Sequence, residues 1–215
     1  MFLLVTAFAA CGQPGRKSSE RADTSHSPVP ADSAHSRNRP TAPTLDRAAT
    51  RLDTMQVEGM PDTITLHLFR TTAGFGLPFS TYVPRDMIAE ADSSAGGQAV
   101  RFVANFDGQR NDSVQIAVRA YPEGTTEAQA RAALVAALGG NKVVREPDRM
   151  TSWAEEEYDL QDLAFTGSGM LGRHGGRLFH VVLRYPSEYA DGFGPRALVI
   201  LNEWRWTDDG RPLGK

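Results

Sequence analysis

Cysteine is almost missing from this chain: Cys11 is the only one among 215 residues. A lone thiol forms no internal disulfide, no cysteine-based zinc site and no dithiol redox pair. A protein exported to an oxidising compartment also avoids wrong pairing this way. Long apolar runs are scarce too. Phe2 to Ala10 is unbroken and uncharged, but it falls well short of the ~20 residues a helix needs to cross a ~30 Å bilayer. Positive charge is not in excess: the net charge is −3 and the pI about 6.0. That balance argues against a nucleic-acid binder, which carries a basic surface. Motifs for mechanism are also few. The chain holds no G-K-[ST] phosphate loop, no G-x-S-x-G elbow, and no H-x-H or H-x-x-x-H pair.

What is there begins with the first eleven residues, MFLLVTAFAAC. A short apolar run closing on small residues has the dimensions of a secretory signal. Ala9-Ala10-Cys11 resembles the lipobox of bacterial lipoproteins, with Phe8 where that family usually has Leu. The resemblance implies a diacylglyceryl group on the Cys11 thiol, cleavage before Cys11 and acylation of the new amine. Residues 1–10 are then a signal peptide. Each buried methylene contributes ~0.8 kcal/mol, so two or more chains hold stably at a bilayer. Gly12, rather than Asp, after the cysteine favours the periplasmic face of the outer membrane.

Residues 11–60 read as the lipidated cysteine followed by a disordered linker. The stretch QPGRKSSERADTSHSPVPADSAHSRNRPTAPT is rich in Ser, Pro, Thr and mixed charge and poor in aliphatic and aromatic residues. It cannot bury enough apolar surface to offset the entropy of ordering. As a flexible coil of about 45 residues it would reach roughly 40 Å. Leu45 to Val57 carries a weak helical period and is expected to be a loose helix.

Residues 61–215 are expected to form one α+β domain. Asp62 to Arg70 alternates, with Ile64, Leu66 and Leu68 on one face. Leu77 to Val83 reads as a second strand stopped by Pro84, and Asp86 to Ala91 as a third. Val100 to Phe106 and Val114 to Ala120 flank Asp107-Gly108, the signature of an antiparallel hairpin. The period then changes: a Thr125 or Thr126 cap opens an Ala-rich helix to Leu138, closed by Gly139-Gly140. Leu163 to Arg173 and Arg177 to Tyr185 flank His174-Gly175-Gly176, a second hairpin. Gly194-Pro195 is expected to start a C-terminal helix with Ala197, Leu198, Leu201 and Trp204 as its apolar stripe. The sum is five to seven mostly antiparallel strands with a central helix and a C-terminal helix packed on them. This order, with the phrases LPFSTYVP, VVLRYPSEYADGFGPR and ILNEWRW, resembles the PsbP-like and Mog-type domains. That resemblance implies a fold used for binding and scaffolding rather than catalysis.

Candidate chemistry is thin. Gly167 to Gly172 matches G-x-G-x-x-G but runs into a hairpin strand instead of opening a helix, so a dinucleotide site is rejected. His67 and His180, on neighbouring strands, are the weak candidates for a metal; solvent-facing positions are the favoured reading. Glu155-Glu156-Glu157 reads as a solvated acidic face. Trp204, Arg205 and Trp206 are candidates for an exposed partner-binding patch. The expectation is a lipid-anchored envelope protein, non-catalytic and without a cofactor, that binds an envelope protein. An envelope hydrolase or metal-dependent enzyme and a purely structural tethered module are the alternatives.

Overall fold

The computed structural model describes residues 46–214, apart from 58, 73, 95, 96, 149 and 150. The expected signal peptide, Cys11 and the part of the expected linker up to residue 45 lie outside the described residues. None of the described helices is long and apolar enough to cross a membrane.

Eleven strands are described, in two antiparallel sheets. The smaller sheet has the order β1 (Thr50–Val57), β2 (Met60–Arg70), β3 (Phe79–Pro84) and β11 (Arg205–Trp206). The larger contains β4 (Met87–Ser94), β5 (Gly97–Phe106), β6 (Gln109–Ala120), β7 (Val143–Arg145), β8 (Glu156–Leu160), β9 (Phe165–His174) and β10 (Arg177–Pro186). Its order is β4-β5-β6-β10-β9-β8-β7. Helix α1 (Glu127–Leu138) covers one face of the larger sheet at β9 and β10. Helix α2 (Ala190–Asn202) lies against β1 and β3 and also touches β10. The α+β expectation holds in broad terms, with more strand than expected and two sheets instead of one.

The hairpins follow their turn residues. Asp107 (φ 52°) and Gly108 (φ 77°) both take the left-handed conformation that a two-residue I′ turn needs, and Phe106 pairs with Gln109 across it. Gly175 and Gly176 do the same between His174 and Arg177. Thr126 caps α1, accepting from the Gln129 amide while Gln129 reaches back to the Thr126 N–H.

The folded region begins earlier than residue 61. β1 pairs with β2 from Thr50↔His67 to Val57↔Met60, so residues 50–57 are a strand and not a loose helix. The strand pattern was hidden because Arg51 and Asp53 occupy inward-leaning positions while Leu52 points out. Arg51 is held there by Glu203 at 2.8 Å and Asp53 at 2.7 Å. Arg47, its side chain 11% exposed, fastens the entry of the chain. It donates to the Glu203 carboxylate and carbonyl and to Ser80 Oγ. Both guanidinium groups lie about 4.5 Å from the Tyr82 ring centre, and the Tyr82 hydroxyl donates to the Ala48 carbonyl.

The C-terminal helix also differs. It starts at Ala190, after a 3-10 turn over Ser187–Tyr189, and Pro195 lies inside it. As the sixth helical residue, past the first turn, Pro195 removes the ladder bond to the Asp191 carbonyl and its ring crowds that carbonyl. The buried stripe is Phe193, Ala197 and Ile200, whereas Leu198 is 60% exposed. The helix ends at Asn202, before Trp204.

Candidate functional site

Trp204 and Trp206 are both buried, at 0% and 3% exposure, so the exposed aromatic patch does not exist. The reason is that neither is helical. Trp206 lies in β11 and Trp204 in the irregular link between α2 and β11, which lets residues two apart reach one core. Trp204 stacks on Phe79 with ring centres 3.6 Å apart and meets Trp206 edge-on at 5.3 Å. Arg205 spends its guanidinium on the carbonyls of Asn202 and Trp204.

His67 and His180 do not form a metal site. His67 is exposed on β2 of the smaller sheet; His180 is 2% exposed on β10 of the larger, facing α1. Its Nδ1 lies 2.6 Å from the Tyr121 hydroxyl, which donates to the Ala130 carbonyl at 2.9 Å. With the one phenolic hydrogen given to Ala130, the imidazole donates from Nδ1. Burial, helped by the Arg119 charge, pushes the His180 pKa down to about 3, so the ring is neutral. Burial likewise raises Tyr121 to about 12.

Of the acidic run, only Glu155 is exposed as a solvated face would be. Glu156 and Glu157 are 8% and 7% exposed. Arg131, on α1, donates to both Glu156 oxygens and the Tyr158 hydroxyl to one. Those bonds, led by Arg131, hold the Glu156 pKa down at about 2 despite burial. Glu157 accepts from the Thr151 N–H at 2.6 Å. The Gly-rich stretch is a regular part of β9. A Cβ on Gly169 would meet Leu134 at 2.8 Å, and one on Gly167 would meet Leu138 at 2.9 Å. The glycines let α1 approach the sheet, which is why a dinucleotide-like pattern stands where no helix opens.

Several concavities lie among the described residues. The largest of these, about 790 Å³, lies where β2, the β5–β6 turn and the start of α2 meet. Asp62, Asp86, Asp107, Glu188 and Asp191 line it against Arg85 and Arg196. Arg196 is its pillar. It donates twice to Asp86 Oδ2, at 2.8 and 2.6 Å, and once to the Gly192 carbonyl. Its guanidinium lies 4.9 Å from the Phe106 ring centre, and Phe106 is roughly parallel to Tyr189 at 6.2 Å. The other Asp86 oxygen is buried with no hydrogen-bond partner among the described residues. Sequence reasoning missed this site because its residues are far apart in the chain. The only local signal was Gly194-Pro195, read as a helix start.

A smaller concavity, about 380 Å³, lies beside the β9–β10 turn. His174, Arg177, Glu123, Thr125 and Asp208 are among its walls. The His174 ring is parallel to Trp206, 3.8 Å between centres, and its Nε2 lies 3.0 and 2.9 Å from the two Asp208 oxygens.

No family model matches the chain, and no curated protein does. A solved structure to which it is similar is cyanobacterial PsbP (CyanoP) from Synechocystis sp. PCC 6803, with 12% identity and a TM-score of 0.38. The match covers 65% of this chain and 92% of that one. It is a weak, PsbP-like resemblance of fold, and nothing about activity or partners follows from it.

Proposed function

We propose that the protein is a lipid-anchored bacterial envelope protein whose folded region binds an envelope partner. In this reading Cys11 carries the lipid on the periplasmic face of the outer membrane, and the linker gives the folded region its reach. The partner presents a polar, positively charged segment to the 790 Å³ cleft. The observation that carries the binding role is the lining of that cleft: five carboxylates against two guanidinium groups, with Phe106 and Tyr189 as apolar footing. Excess negative potential in a concave site draws in cationic groups, and aromatic side chains at its base supply the contact area on which hot spots rest.

Two measurements test the two halves. Metabolic labelling with palmitate should mark the wild type and not Cys11→Ala, which should also leave the membrane fraction. Label on the alanine variant overturns the anchoring. Photo-crosslinking from position 189 in intact cells should capture an envelope protein, and Asp107→Lys with Glu188→Lys should abolish the adduct. An unchanged adduct overturns the cleft as the binding surface.

A further inference from the structure

The geometry points to a divalent transition-metal site, of the zinc class, made by His174, Asp208 and Asp209 at the mouth of the smaller concavity. One ligand atom from each of the three lies within 4.8 Å of the others. They come from two segments 34 residues apart, joined because β11 sets Trp206 under the His174 ring. That stack fixes the plane of the imidazole, whose side chain is only 10% exposed, and aims Nε2 at the carboxylates.

The spacing is close to that of a metal site. Zinc takes imidazole nitrogen and carboxylate oxygen at about 2.0–2.2 Å in a tetrahedron, so neighbouring ligands stand about 3.4 Å apart. The Nε2 to Asp208 distances of 3.0 and 2.9 Å are those of a hydrogen bond, and opening it by about 0.5 Å makes room for the ion. Asp209 is held in place from behind: its Oδ1 accepts from the Arg211 backbone N–H at 2.9 Å. Such outer hydrogen bonds fix a ligating carboxylate. Its Oδ2 is paired with the Arg211 side chain, which is 63% exposed. An exposed ion pair of this kind holds weakly, so a dication can displace the guanidinium. An imidazole with two carboxylates favours zinc, cobalt or nickel over magnesium and calcium, which prefer all-oxygen sets. Three protein ligands leave coordination positions for water or an anion. Arg177 lines the same concavity, paired there with Glu123 at 3.1 Å.

The plain alternative is a surface His–Asp pair that binds nothing. Calorimetric titration of the full chain with zinc alone separates the two. The proposal expects one zinc per chain at this site. Affinity should fall at least about tenfold in His174→Ala and in Asp209→Asn. It should rise in Arg211→Ala, which removes the competitor without touching a ligand. The melting temperature of each variant in chelator reports whether it folds. Undiminished zinc binding in folded His174→Ala overturns the proposal, as does zinc failing to raise the wild-type melting temperature.

Discussion

On the α1 side of the larger sheet, Gly167 and Gly169 present no side chain, and Leu134 and Leu138 fill the space. On the opposite side, Phe79, Phe102, Phe179, Phe193, Trp204 and Trp206 form a continuous aromatic core with α2 and β3. The first face works by close approach. The second works by bulk, with pairs such as Phe79–Trp204 and Phe69–Phe102 in stacked and edge-on contact. The α1 face also buries polar groups: His180 with Tyr121, and Glu156 with Arg131 and Tyr158. A thin layer leaves backbone and polar groups close enough to need each other. The aromatic face buries side-chain volume, with Thr81 as a polar tie, donating to the Ile200 carbonyl near the end of α2.

The comparison can be broken most severely on the aromatic side. Trp204→Ala removes a side chain with 0% exposure and should cost ~3–5 kcal/mol, read as a lower urea midpoint at unchanged slope. Next, Gly169→Val on the α1 side should cost ~1–3 kcal/mol by overpacking, because its Cβ would sit 2.8 Å from Leu134. If valine is tolerated there, close approach is not what holds α1.

Tyr121→Phe should cost ~1–2 kcal/mol by leaving the buried His180 N–H unpaired. The pH profile sharpens the same point. His180 has a folded pKa of about 3 against 6.5 unfolded, so its contribution is complete above pH 6.5 and drains away as pH falls toward 3. Glu156, at about 2 against 4.5, adds a loss below pH 4.5. Denaturant midpoints measured across pH 3–7 should therefore decline on acidification, and His180→Leu should flatten the part between pH 4.5 and 6.5. The smallest effect should be a gain. Gly192 in α2 has ordinary space around it, with Arg196 at 3.9 Å from a would-be Cβ. Gly192→Ala should stabilise by ~0.5–1 kcal/mol, the opposite sign from the β9 glycines.

Much of the fold was legible where the signal is local. The alternation of Ile64, Leu66 and Leu68, the Asp107-Gly108 and Gly175-Gly176 turns, and the Thr126 cap each state their own backbone geometry within a few residues. β1 was not legible, because Glu203 makes its inward polar residues acceptable from 152 positions away. Glu156 misled for the same reason: a carboxylate reads as solvated until Arg131 is seen beside it. Of the candidate sites, His174 stood out only as a turn residue. Asp208 and Asp209 follow Trp206 in a polar stretch with no periodicity of its own.

By itself the sequence determined the strand and helix periods, the turns and the likeness of its first residues to a lipoprotein signal. These depend on φ/ψ preference and on residues within one or two turns of each other. Only the tertiary structure decided which charges are buried, which tryptophans are hidden and which distant carboxylates meet a histidine. Burial and pairing are properties of the space between segments, and no local pattern specifies what a neighbour hundreds of atoms away will bring.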